Sequence, residues 1–336
     1  MRQKIYSIDF LKLYGAIAIA LSHFSVNING SAYCVELFFV ISGFFLANKF
    51  FSSSNPISAI NYTIKHAEKM FPHYIFSLIV LLSYNILGSI HDAGANIKDI
   101  VLIIYDRIPE TLFLQNIGIT NGGINYPLWY VSSLLIAGYF LWQLLLINKN
   151  VTVKIICPML VLLVYTYMYG TSVDIFGWYG IFYLPLWRAF AAISLGILTY
   201  TAAKTNWYES NKNKLWFYII GILAFVFMLF FPKRNNIQLV IIPIIILFLY
   251  NEASFINKIF SFKIFAFWGE LSYAIYLNHA LVIKLVARCL PNISHQKIIY
   301  LIILIIYSVI TMCLVKFMMR GIVSLKAFLK KEKSKV

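Results

Sequence analysis

Apolar residues along this chain fall in long blocks separated by short polar joints, with neither the strict alternation of a strand nor the one-sided stripe of a soluble helix. Ten blocks read as helices able to cross a ~30 Å hydrocarbon slab. They run from Ile8 to Val26, Val35 to Phe51, Tyr74 to Ile90, Leu128 to Ile147, Lys154 to Tyr169, Ile181 to Thr201, Leu215 to Phe231, Leu239 to Tyr250, Phe265 to Ala287 and Lys297 to Met319. The block at Leu239 is the shortest and reads as tilted, short or re-entrant. The pattern predicts an all-α integral membrane protein, a polytopic bundle of about ten transmembrane helices forming one domain over residues 1–336. The longest polar connection, residues 91–127, carries Asn116, Asn121, Gly122, Gly123 and Asn125 and has room for an ordered lid.

Composition supports the same class, since 61% of the residues are hydrophobic, 12% are charged and the mean hydropathy is +0.80. No stretch is long and polar enough to be a separate soluble domain. An even number of crossings puts both termini on one side. With that side cytosolic, 18 lysines and arginines lie inside, against an outer set of Lys98, Arg107, Lys233, Arg234, Arg288 and Lys297. The positive-inside rule therefore predicts cytosolic termini. This topology, with the basic tail 320–336, accounts for most of the net charge of +16, so nucleic acid is not needed as a partner. Asp9 and Lys12 interrupt the first block and no small-residue cleavage site follows, which reads as a retained helix and not a removed signal peptide. Cys34, Cys157, Cys289 and Cys313 stand singly and signal neither a disulfide framework nor a metal site.

Charge inside the apolar blocks marks the candidate chemistry, because an ionisable group in lipid costs roughly 2.5–3.5 kcal/mol on insertion scales and needs a reason to be there. Lys12 and His23 lie eleven residues apart on the first block, about three turns and ~16 Å, so they share one face. His23 reads either as a general base for an alcohol or as a helix-end histidine turned toward headgroups. Glu36 opens the second block at about the depth of His23; it reads as an acid that orients the imidazole or as one favoured by the helix start. Lys65, His66 and Lys69, beside Lys49, form a cationic entry to the third block, which suits phosphate groups or simply marks an inner boundary. Arg188 is buried in the sixth block and requires a partner, either Asp174 or an anionic or polyhydroxyl ligand. Trp129 and Tyr130, with Trp178, Tyr179, Tyr183 and Trp187, gather aromatics for an interfacial belt or for sugar stacking. His279 ends the run Ser272-Tyr273-Ala274-Ile275-Tyr276-Leu277-Asn278-His279, read as interhelical hydrogen bonding or as chemistry.

In order, these segments resemble acyltransferase family 3, the bacterial integral-membrane acyltransferases of cell-surface glycans. The resemblance covers nearly the whole chain: Ile8 to Lys12 with His23, Glu36-Leu37-Phe38-Phe39-Val40-Ile41-Ser42-Gly43-Phe44, Lys65 to Pro72, Leu128-Trp129-Tyr130, Arg188 with Gly196, and Ser272 to His279. It implies a multi-pass protein of the bacterial cytoplasmic membrane. The implied activity is O-acyl transfer, most often of acetyl, from cytosolic acyl-coenzyme A to a sugar hydroxyl of a surface polysaccharide or its lipid-linked precursor. The resemblance makes His23 and Glu36 catalytic, places Lys12, Lys65, His66 and Lys69 at the coenzyme, and places Arg188, Trp129, Tyr130 and His279 at the acceptor, with no metal. Lys12 stands where the family carries arginine, and His66 with Lys69 where it carries two, so bidentate phosphate contacts are lost there. Leu134 lies near the place of a glutamate found in many polysaccharide and peptidoglycan modifiers; this resembles the family's shorter branch, which is expected to act without an appended hydrolase-like extracytoplasmic domain. Two rival readings are a transporter of a glycan or small organic anion, for which inverted halves with interrupted helices are expected but not found, and a noncatalytic relative.

Overall fold

The computed structural model describes residues 5–26, 28, 30–115, 123–170, 177–179, 182–230, 237–251, 267–291 and 296–333. Each of the ten apolar blocks forms a helix: α1 Tyr6–His23, α2 Cys34–Phe51, α3 Ala59–Ala93, α6 Trp129–Val151, α7 Cys157–Gly170, α8 Leu184–Ala202, α10 Leu215–Phe230, α11 Gln238–Tyr250, α12 Trp268–Cys289 and α13 Gln296–Lys333. Short helices α4 (Ile97–Tyr105), α5 (Ile108–Thr111) and α9 (Asn206–Asn211) lie in connections. The described residues also hold a two-residue antiparallel ladder of β1 (Trp178–Tyr179) with β2 (Phe182–Tyr183).

By length and apolarity alone, four described stretches qualify to cross a membrane: Cys34–Phe51, Ala59–Ala93, Tyr126–Met168 and Gln296–Ile322. Leu215–Phe230 and Leu239–Tyr250 are apolar but shorter. Three helices that carry charge amid apolar residues, α1, α8 and α12, are not among the four. They hold Asp9 with Lys12, Arg188, and Glu270 with Lys284; Arg188 pairs with Glu36 of α2, Lys284 donates to Asn85 of α3, and Glu270 pairs with Lys316 of α13. The outermost helices are built the other way round. On α13, Ile302, Ile306, Ile310 and Leu314 repeat every four residues and are exposed, whereas Tyr300, Leu304, Ser308 and Thr311 face inward. Apolar side chains outside and hydroxyls inside suit hydrocarbon as the solvent.

The Tyr126–Met168 stretch is bent back on itself at Asn148, whose backbone leaves the helical region at φ −154° and ψ 97°. The Asn148 side chain accepts hydrogen bonds from the backbone N–H groups of Asn150 and Val151, capping the helix that follows. Thr152 then donates to the Leu144 carbonyl at 2.8 Å, eight residues earlier, which a straight helix would hold ~12 Å away.

Two packed pairs organise the interior. Helices α2 and α8 run parallel and cross very closely, because a Cβ at Gly43 would strike the Ile193 backbone and one at Gly196 the Val40 carbonyl. Small residues at such a crossing let two backbones touch and gain dispersion contact where lipid supplies no hydrophobic drive. Helices α1 and α12 also run parallel: the Phe10 and Trp268 rings meet at 5.4 Å, and the His23 and His279 rings meet thirteen and eleven residues later. Helix α3 lies alongside α12, from Tyr273 donating to the Met70 carbonyl to Arg288 forking onto Asp92. Ser58 caps α3 by accepting from the Asn61 N–H, so the helix begins well before Tyr74 and the Lys65–Pro72 segment is already helical.

Candidate active site

At one end of the bundle, α1 finishes at His23 and brings its ring against His279 of α12, with centroids 5.3 Å apart and planes at 19°. Tyr126 closes on both, 5.0 Å from His23 and 5.5 Å from His279. His279 is fully buried, and its Nδ1 lies 2.7 Å from the Tyr276 carbonyl. A carbonyl only accepts, so Nδ1 carries the proton and Nε2 keeps its lone pair. That Nε2 is buried without a hydrogen-bond partner. His23 is exposed and lines a cleft of about 590 Å³ together with Phe24, Ile283, Gln296 and Lys297. At the next turn Ser25 takes a left-handed conformation, φ 62°, where the chain leaves α1. The arrangement presents one imidazole to a cleft and fixes the tautomer of a second one stacked behind it.

The connection 91–127 supplies Tyr126, and it does so by dipping into the bundle. Glu110, in α5, is buried; its two carboxylate oxygens accept from the backbone N–H groups of Ile124 and Asn125, each at 3.0 Å. Tyr74 of α3 donates to the Glu110 carbonyl, and Gln115 donates to Tyr74 and to the Leu128 carbonyl. Asn125 donates to the Leu277 carbonyl, two residues before His279. Burial pushes the Glu110 carboxyl above its ordinary range, against the opposing pull of those N–H groups and of Arg107. Asn116, Asn121 and Gly122, which suggested a lid, lie outside the described residues, whereas Asn125 belongs to this anchored strap.

Glu36, read as an acid that orients His23, makes its hydrogen bonds with Arg188. Glu36 and Arg188 form a buried ion pair through Oε1, which accepts from Nε at 2.9 Å and from Nη2. The α2–α8 crossing causes this: Glu36 lies seven residues before Gly43, Arg188 eight before Gly196, and both helices run the same way. The Trp129 ring lies 5.4 Å from the Arg188 guanidinium, so the arginine is held between an acid and an aromatic face. Asp174, the other partner considered for Arg188, lies outside the described residues. Tyr130 is buried inside the bundle, where its hydroxyl lies 3.2 Å from Ser42 Oγ and its ring is 5.6 Å from Tyr276, itself 5.8 Å from His279.

At the other end the candidate cations converge only in part, with Lys49 and Lys69 near His66 and Lys12 held elsewhere. Lys12 pairs with Asp9 at 3.2 Å and sits 5.4 Å from the Phe45 ring. Lys65 and Lys69 share an exposed face of α3, while His66 turns inward, beside Tyr62 at 5.8 Å. Lys49 lies over Tyr62 at 4.8 Å and Trp142 at 5.9 Å, which puts it on the His66 side. Between His66, Thr63, Tyr62 and Ser42, with Leu46, Leu134 and Leu135 around them, is a small void of about 10 Å³, the space of a single water. A thin line of polar groups thus leads from His66 through Ser42, Tyr130 and Tyr276 to His279.

Residues 5–317 match the profile of acyltransferase family 3, described as an acyltransferase domain. The chain belongs to this family. The peptidoglycan O-acetyltransferase OatA of Listeria monocytogenes is 24% identical over 329 residues, covering 87% of this chain and 52% of that relative. The chain therefore spans about half the length of the curated relative it matches. No solved structure matches it.

Sequence reasoning passed over Glu110 and Tyr126, and named Asn125 only as part of the 91–127 connection. The available signal was a glutamate set in the apolar stretch Ile108 to Leu114, with the turn-forming run Asn121 to Asn125 next to a tyrosine.

Proposed function

We propose that this family member is a membrane O-acyltransferase that moves an acetyl group from cytosolic acetyl-coenzyme A to a sugar hydroxyl at the far face of a bacterial cytoplasmic membrane. The observation that carries this reading is the exposed His23 imidazole, stacked on a buried histidine of fixed tautomer and facing a cleft large enough for a sugar ring. In this reaction His23 takes the proton of the acceptor hydroxyl as that oxygen attacks the thioester carbonyl. The carbon–sulfur bond breaks, the acyl group ends on the sugar oxygen, and the coenzyme thiolate leaves with the proton from the imidazolium. Tyr126 and His279 hold the ring, and the thioester arm of the donor reaches it from the cytosolic side. Lys12, Lys49, Lys65, His66 and Lys69 supply the cationic surroundings for the nucleotide. Trp129 and the Arg188–Glu36 pair shape the wall behind the acceptor.

The test is transfer of radiolabelled acetyl from acetyl-coenzyme A to surface glycan in membranes carrying wild type or His23→Ala at equal abundance. Transfer by the wild type and its loss in the variant are expected. Full transfer by His23→Ala overturns the mechanism, and glycan or anion flux without any acyl transfer overturns the enzyme reading in favour of a transporter.

A further inference from the structure

Glu110 turns both oxygens of its buried carboxylate onto one stretch of backbone. Oε2 accepts from the Ile124 N–H and Oε1 from the Asn125 N–H, each at 3.0 Å, and the chain passes so close that a Cβ at Gly123 would collide with the carboxylate. The acid stands on a fixed frame. Tyr74 of α3 donates to the Glu110 carbonyl, and the Phe113 ring lies 4.3 Å from the Tyr74 ring. Phe113 itself takes a left-handed turn at φ 61°, and Ser132 of α6 donates to its carbonyl at 2.6 Å. On the far side of the contact the Asn125 side chain donates to Ser77 at 3.3 Å and to the Leu277 carbonyl at 3.2 Å. The next residue is Tyr126, whose ring lies 5.0 Å from His23. A buried carboxyl weakens a fold unless it is hydrogen-bonded, and a backbone carbonyl could cap either of these N–H groups. Stability alone therefore does not account for an acid at this point.

We propose that Glu110 is a positioning residue for the reaction at His23. Through the backbone of Ile124 and Asn125 it sets the Tyr126 ring against the imidazole, and His23 is confined between that ring and His279. An imidazole at a helix end, facing an open cleft, has nothing in its own backbone to keep it in one orientation. A general base needs its lone pair within about 0.5 Å and 10–20° of the productive position, and a misplacement of about 1 Å lowers a rate roughly a hundredfold. Glutamine at position 110 would offer the two N–H groups one acceptor in place of two, and leucine would offer none. This inference rests on the acyl-transfer reading for the reaction it serves, but the confinement of His23 is measurable without an acyl donor.

The experiment compares membranes carrying wild type, Glu110→Leu, Gly123→Ala, Tyr126→Leu and the double variant Glu110→Leu with Tyr126→Leu, at equal abundance. Acetyl transfer from acetyl-coenzyme A to surface glycan is measured, and in parallel the histidines are labelled with diethyl pyrocarbonate and the labelled sites read by mass spectrometry. Glu110→Leu should lower the maximal rate about 10–100-fold with the KM for acetyl-coenzyme A unchanged. Gly123→Ala, which displaces the same carboxylate from the opposite side, should lower it in the same way. The double variant should be no slower than the slower single one, because Glu110 acts through Tyr126. His23 should label faster in every variant, while the exposed His91 at the end of α3 labels as in wild type. Losses that multiply in the double variant overturn the proposal, as does unchanged His23 labelling in Glu110→Leu. A rise in KM for acetyl-coenzyme A that accounts for the lost rate also overturns it. Should Glu110→Leu fail to reach the membrane, Gly123→Ala alone and with Tyr126→Leu carries the same test. Faster labelling of His23 in the variants, with no acyl transfer by the wild type, would overturn the catalytic reading and leave the hold on His23 standing.

Discussion

The two ends of the α1–α12 pair were expected to share the chemistry, and they are organised very differently. At the His23 end, five elements converge: α1, α12, the strap anchored by Glu110, α3 beneath it and the start of α13. At the Lys12 end the cations converge only in part, with Lys12 spent on Asp9 and Lys65 with Lys69 on an exposed face. The physical difference is what each charge must do in the apo protein. A lysine at a membrane boundary is solvated and needs no partner, so nothing in the fold gathers such residues. An imidazole, glutamate or arginine inside the bundle must find its partner in the fold itself.

The sharpest way to break this contrast is His23→Ala, which should lower acyl transfer about 10²–10⁴-fold, the range for losing a general base, at unchanged membrane abundance. A loss no greater than for the Lys12-end variants would remove the distinction. Next in size, Glu36→Leu alone strands the Arg188 charge and should cost about 3–5 kcal/mol of stability, read as loss of folded protein in detergent, while Glu36→Leu with Arg188→Met recovers most of it. Recovery of stability without activity would assign the pair a role in the acceptor wall as well. His279→Phe keeps a buried ring but removes the fixed tautomer, and a fall of about 10–100-fold in turnover with little change in stability is expected from kinetics on purified protein. Lys65→Ala with Lys69→Ala should raise the KM for acyl-coenzyme A by only about two- to fivefold, as expected for screened, exposed charges. The smallest effect concerns pH. Since Glu110 holds its proton more tightly folded than unfolded, stability should fall as pH rises from the ordinary carboxylate value of 4.5 to the raised one, then level off. Thermal melting of Glu110→Gln across that window should lack the slope.

Much of the architecture was legible in the chain because a hydrocarbon solvent leaves it little choice. Every backbone polar group must be satisfied within its own segment, so an apolar block becomes a helix wherever it lies. All ten blocks are helices, with α3 longer at its start because Ser58 caps it and Pro72 does not end it. The singled-out residues were legible for a related reason: an ionisable group amid apolar ones is conspicuous. Their partners were not. Glu36 and His23 sit at similar depths, and depth alone suggested a pair, but helical direction and the glycine crossing of α2 with α8 gave the carboxylate to Arg188. The strap was least legible, since Glu110 acts on the backbone of Ile124 and Asn125, and backbone groups carry no sequence signature.

The sequence by itself determined the membrane class, the helical segments and the ionisable residues set among apolar ones, His23 included, because hydropathy and the cost of buried charge are properties of residue order. Only the tertiary structure decided that His23 stacks on His279 beneath Tyr126, and that Glu36 answers to Arg188. Those choices depend on which faces of distant helices meet, and that is set by close packing at positions such as Gly43 and Gly196, far along the chain from the groups they bring together.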